Sequence, residues 1–195
     1  MSANVWFEEV DIGLIEEIKN IVRVRNSKGD LVPLSDDAII VRKPEEDFKL
    51  EVYPCVSIYN TNDEFDAFRH NPEPIQVARD IDNHMITMED PAVPFKLYYQ
   101  IDFWSNYQTD MNEMTKSWLA KHFRQFNLPV VDDGGTKRSC NCLMSGKPRK
   151  SDLILNNERL FHTIISYCIW VELDGQTRYN VSMVKDREIG TQSTK

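Results

Sequence analysis

Several absences bound this chain of 195 residues. No apolar run approaches the ~18 residues that span a bilayer, the longest being the interrupted "TIISYCIWVEL". Together with a mean hydropathy of −0.48, this argues against a membrane protein. The opening "MSANVWFEEV" has neither the basic start nor the apolar run of a secretory signal, which points to a cytoplasmic site of synthesis and assembly. No G-x-S-x-G turn is present to raise a nucleophile, and "DDGG" runs into polar residues and not into a phosphate-binding helix. The four histidines, His70, His84, His122 and His162, are scattered, with His122 in a helical pattern and His162 in a strand pattern.

Cysteine is scarce and carries no metal spacing. Cys55 and Cys168 sit in apolar strand-like runs, where a thiol behaves as a small hydrophobe. Cys140 and Cys142 form a lone C-x-C, and with no second pair to complete a zinc site they read as two free thiols in a polar loop. No cofactor is expected.

Charge is lopsided: 31 acidic against 23 basic residues give a net charge of −8. Such a surface repels nucleic acid unless basic groups are gathered on one face. The one basic segment holds Lys137, Arg138, Lys147, Arg149 and Lys150 without interleaved aromatics, and reads as a solvated loop or a partner-binding arm.

What is present is well patterned. In "DIGLIEEIKNIVRVR" the spacing of Leu14, Ile15, Ile18, Ile21 and Val22 predicts a helix face, with Asp11 as N-cap and "NSKGD" as stop. "DDAIIVRK" and a strand opened by Pro54 follow. In "PFKLYYQIDFW", Phe95, Leu97, Tyr99, Ile101 and Phe103 make the core face of a strand, and Lys96, Tyr98, Gln100, Asp102 and Trp104 the other. Thr109 or Asp110 then caps a second helix, with Glu113 reaching back and Met111, Met114, Trp118, Phe123 and Phe126 along it until Asn127 and Pro129. Two closing strands are expected to form a hairpin about "DGQT".

The pattern predicts an α+β fold: a single mixed or antiparallel sheet packed against two main helices, in one domain over residues 1–186, with a flexible tail at 187–195. Two long loop excursions interrupt it, 61–94 and 130–157. The first is too apolar for disorder and is expected to hold an exposed turn and one short strand. Tyr98, Trp104, Tyr107, Phe65 and Phe68 are the candidate subunit or partner interface, because aromatics concentrate at interface centres.

The order of elements resembles the tail-terminator (tail-completion) family of long-tailed bacteriophages. The likeness rests on Tyr53 and Pro54 before "CVSIYN", and on the strand from Tyr99 to Trp104, "YQIDFW", which leads through a short turn into the helix at Asp110. This chain is longer than the compact members. The resemblance implies a non-enzymatic virion protein assembled in the host cytoplasm, forming a homo-oligomeric ring, commonly a hexamer, that stops tail tube polymerisation. Its implied partners are other copies of itself, the tail tube protein and the head-completion or neck proteins, while phage DNA passes through the channel without specific binding. A related neck or baseplate protein is an alternative. From other classes stand a monomeric adaptor for a host protein and a metal-dependent nuclease, the latter using Asp47, Glu51 and Asp102 with Lys49 or Lys96.

Overall fold

The structure, a computed structural model, describes residues 6–42, 52–132, 134–155, 158–173 and 178–182. Helix α1 spans Phe7–Ile21 and buries Val10, Gly13, Leu14 and Ile18 along one stripe. It starts before Asp11, the expected cap, because the Glu9 carboxylate accepts the Trp6 backbone N–H at 2.8 Å and closes the first turn there. Asp11 therefore lies within the helix. The expected stop "NSKGD" is instead a hairpin turn between β1 (Arg23–Arg25) and β2 (Leu31–Pro33). Asn26 Oδ1 accepts the amides of Lys28 and Asp30, each at 2.9 Å, and Gly29 takes the left-handed φ of +87° that the turn needs.

After β3 (Ile39–Arg42) come β4 (Cys55–Phe65), β5 (Ile75–Asp80), β6 (Met85–Glu89) and β7 (Val93–Ser105). Helix α2 (Gln108–His122) follows, then β8 (Gln125–Val131), β9 (Lys137–Met144), β10 (Arg149–Leu155), β11 (Glu158–Leu173) and β12 (Arg178–Ser182). The expected α+β architecture is present, its mixed sheet running β3-β4-β7-β11-β9-β8, with β3 parallel to β4 and the other pairs antiparallel. The long strand β11 is flanked on one side by β7 and on the other by β10 over its first half and β9 over its second. Two smaller sheets stand beside it, β1-β2 and β12-β6-β5.

Three expectations are corrected. Residues 61–94 are not a loop with one strand: β4 runs on to Phe65, and β5 and β6 form a hairpin. The 130–157 segment carries β9 and β10. The reasons differ: all six residues of β5 are exposed, so no buried face imposes a period, whereas on β9 the alternating buried positions are two cysteines in an otherwise polar run. Third, β12 pairs with β6 and not with β11, because β11 already has neighbours on both sides through Trp170; the "DGQT" turn lies outside the described residues, as does the 187–195 tail.

The core face of β7 is as expected: Leu97, Tyr99, Ile101 and Phe103 are buried, and Phe95 packs at its margin. Helix α2 lies on this sheet with Met111, Met114 and Trp118 fully inside. It begins at Gln108 with Tyr107 as N-cap, so Asp110 sits buried in the first turn, and Glu113 bonds Arg25 at 2.9 Å instead of closing a capping box. It ends at His122. Arg124 takes a φ of 70°, which turns the chain and delivers Phe126, Asn127 and Pro129 to β8, an edge strand where a proline costs no ladder bond. Gly13 lets α1 approach β8 closely: a Cβ there would stand 2.8 Å from the Pro129 carbonyl oxygen.

Candidate functional site

The candidate interface aromatics do not form one patch. Phe65 lies opposite Phe95 at one end of the β4–β7 pair, and Phe68 follows it, wholly exposed at 99%. Tyr107, 69% exposed, lies past Ser105 at the other end. Ten residues of strand separate the two levels, roughly 34 Å at the usual rise. Tyr98 lies between them, half-buried, its hydroxyl donating to Glu64 at 3.0 Å.

Trp104 departs from the expected outward pose. Its ring stacks on His162 at 3.6 Å with the planes 6° apart, and its indole N–H donates to Ser57 Oγ at 3.3 Å. The reason is lateral: the long neighbours β4 and β11 put Cys55 and His162 in register with it, and β10 places Ser151 beyond. That leaves Trp104 8% exposed and unavailable as a contact on the outside of the chain.

Ser151, His162 and Asp102 have the residue types of a nucleophilic relay, which sequence order concealed. His162 Nδ1 is 3.2 Å from Ser151 Oγ, while Nε2 stands 3.6 Å from Asp102 Oδ1, too long for a hydrogen bond. Asp102 is spent on Gln100, whose amide donates to it at 2.8 Å, and the imidazole face is covered by Trp104. The trio is a polar row that ties three strands. Of the nuclease candidates, Asp47, Lys49 and Glu51 lie outside the described residues, and Lys96 is bound to the buried Asp66 at 3.2 Å, away from Asp102. Among the described residues no group of three or more His, Cys, Asp or Glu side chains is placed to hold a metal ion.

Cys140 and Cys142, expected in a polar loop, are buried on β9. Burial pushes the Cys140 thiol up to about 11 and raises Cys142 further, while Cys55 is pushed up to about 12 for the same cause. These are packing residues, with no thiolate at neutral pH.

The basic residues divide. Arg138 donates from Nε to Asp132 at 2.8 Å. Burial opposes ionisation of that aspartate, but the Thr136 amide at 2.7 Å and the Arg138 guanidinium hold its carboxyl below the usual range. Lys137, Lys147, Arg149 and Lys150 are exposed, the first on β9, the others at the β9–β10 turn and the start of β10. A depression of about 360 Å³ is lined by Arg69, Arg138, Asn141, Trp170 and Glu172, yet Arg69 is paired with Glu172 and Arg138 with Asp132. Among the described residues lining it, each charged side chain is paired.

What the sequence reading missed is aliphatic. Ile75, Val77 and Ile81 on the β5–β6 hairpin are 53%, 47% and 67% exposed, and Leu153 and Ile154 on β10 are 40% and 80% exposed. The signal available was their place in short apolar groups inside charged runs, "EPIQVARDID" and "KSDLIL", too brief to form a core face of their own.

No known protein family matches the sequence, and neither does any curated protein. Among solved structures the fold is similar to a chain described as the sheath/tube terminator of an extracellular contractile injection system, PVC, seen by cryo-EM in the extended state. The TM-score is 0.52 at 11% identity, over 98% of this chain. The present chain spans 64% of that chain's length. At that identity the likeness is one of fold. Among the described residues no helix is long and apolar enough to cross a membrane.

Proposed function

We propose that this protein is a non-enzymatic structural subunit of a phage tail or phage-tail-like particle, a terminator that assembles as a homo-oligomeric ring, of six copies in the simplest case, at the end of the tail tube. The observation that carries the reading is the fold shared with a sheath/tube terminator over 98% of the chain. The surface supports it. A ring subunit must show two different faces to its neighbours. Here exposed apolar side chains stand at both ends of the β7–β11 pair, Phe68 and the β5–β6 hairpin at one and Tyr107 with β10 at the other. Tube, sheath and neck proteins are the proposed further partners, and the virion is the proposed location. A net charge of −8 suits a channel through which DNA slides without sticking.

Light scattering on the purified protein over a range of concentrations, with negative-stain microscopy of the same samples, tests this. The expected result is a particle near six times the 22.8 kDa chain with a central hole. A single-chain mass at every concentration, with no capping of purified tail tubes on mixing, would sink the ring.

A further inference from the structure

Among the described residues, two strands combine an open edge with six successive exposed side chains. One is β5, the outer strand of the β12-β6-β5 sheet. The other is β10, whose pairing among the described residues is with β11 alone, and whose residues 149–154 are all exposed. Edges of this kind normally carry a charge, a proline or a cover, because free N–H and C=O groups recruit another strand. These two carry charges, Arg79 and Asp80 on β5 and Arg149, Lys150 and Asp152 on β10, but beside them the open strand also exposes aliphatics: Ile75 and Val77 on β5, Leu153 and Ile154 on β10.

They also lie at opposite ends of the subunit. The three-stranded sheet joins the body where β6 runs into β7 and β11 runs towards β12, at the level of the Val93–Leu173 pair. β10 pairs with the other half of β11, from Ile164 to Glu158, and Phe161 of that half is opposite Ser105. Their charges are complementary. Residues 73–90, which contain the β5–β6 hairpin, hold five acidic side chains against one arginine, whereas 137–155 hold five basic residues against a single acid, Asp152, which is paired with Arg159. Of those five, Lys147, Arg149 and Lys150 cluster where β10 begins and make no ion pair among the described residues.

Resting on the ring reading above, we infer that the β5 edge of one subunit adds to the β10 edge of the next, with Ile75 and Val77 set against Leu153 and Ile154 and the acidic hairpin against Lys147, Arg149 and Lys150. A strand addition of this kind satisfies both open edges with main-chain bonds, and side-chain pockets and charge fix the register. Because the two edges differ and lie at opposite ends of the subunit, the contact is head-to-tail. It propagates from subunit to subunit and closes by rotation, as a ring requires. The ionic part is exposed to solvent, so about 1 M salt, where the screening length is near 3 Å, weakens it.

The test uses the full chain as two single variants, Val77→Cys and Ser151→Cys, mixed and treated with a short bis-maleimide. The four native thiols are buried and form a quiet background. The expected result is a covalent dimer in the mixture and none with either variant alone. A dimer from Val77→Cys alone would mean a symmetric β5–β5 contact and overturn the inference. In parallel, the Lys147→Glu, Arg149→Glu, Lys150→Glu variant is weighed by light scattering. Loss of the oligomer, restored when it is mixed with a Glu73→Lys, Asp80→Lys, Asp82→Lys variant, supports the pairing. Native-sized oligomers with no cross-link in the mixture would remove the β5–β10 contact and leave the ring standing, whereas monomers in every sample would remove both.

Discussion

Removal of one oxygen atom, by Tyr167→Phe, should measure how strongly α2 is fastened to the sheet. The Tyr167 hydroxyl donates to the His122 carbonyl at 2.9 Å and accepts the Trp118 indole N–H, also at 2.9 Å. Both Trp118 and Tyr167 are fully buried, and the carbonyl belongs to the last residue of α2, where helical partners run out. Phenylalanine fills the same space, so no cavity term enters. What remains is an indole donor and a helix-end carbonyl stranded without water, together costing about 2–4 kcal/mol. For a chain of this size that lowers Tm by roughly 4–16 °C. Trp118→Phe should cost more, since it also opens a void, and the double variant should fall short of the sum by about 1–2 kcal/mol, because the two residues share one bond. Urea unfolding of the four proteins supplies the cycle. A Tyr167→Phe loss below about 0.5 kcal/mol would show that the hydroxyl relay does not fasten the helix, and the argument fails there.

Other consequences follow from the same geometry. Gly13→Ala should gain about 1 kcal/mol of helix propensity, yet its Cβ would meet the Pro129 carbonyl at 2.8 Å and Val130 Cγ1 at 3.1 Å, so denaturant melts should show a net loss of about 1–2 kcal/mol. His122 is buried, and burial lowers its pKa from 6.5 against the opposing pull of Glu17, whose carboxylate is 3.0 Å from Nε2. The unfolded chain then binds a proton that the folded chain resists. Its stabilising share is present above about pH 6.5 and lost as the pH falls, so melts between pH 7 and 5 should be less steep in pH for His122→Gln. With all four thiols buried, a thiol reagent at pH 8 should be consumed only after denaturant is added; prompt labelling of two thiols would restore the exposed-loop reading of Cys140 and Cys142.

Legibility followed burial. The stripe of α1, the alternation of β7 from Phe95 to Phe103 and the apolar run of β11 each have one face or both against the core, and each was readable from period alone. β5 and β10 bury neither face in the monomer, so selection on their side chains leaves no period, and they passed for loops. Helix ends failed for another reason. Asp11 and Asp110 both suit an N-cap, but each helix starts earlier: Glu9 accepts the Trp6 amide at the head of α1, and the first helical bond of α2 already runs from the Met111 amide to the Tyr107 carbonyl at 3.1 Å. Trp104 was assigned to the outer face correctly and its exposure wrongly, because the parity of a strand says nothing about the neighbouring strands that cover its far side.

The far face of β7 is not an outside surface over its second half, because β4 and β11 are long enough to bring Ser57 and His162 beside Trp104 and seal it. By contrast β5 and β10, both short and at the two ends of the β7–β11 pair, mix exposed aliphatics with charge. A monomer gains no stability from Ile154 at 80% exposure or Phe68 at 99%. Burying an apolar side chain of that size contributes about 1.5–3 kcal/mol, and in this molecule that gain becomes available only when another surface covers it. The sheet and helices thus hold two dissimilar edges a fixed distance apart, and in the ring proposed above that spacing would set how successive subunits meet.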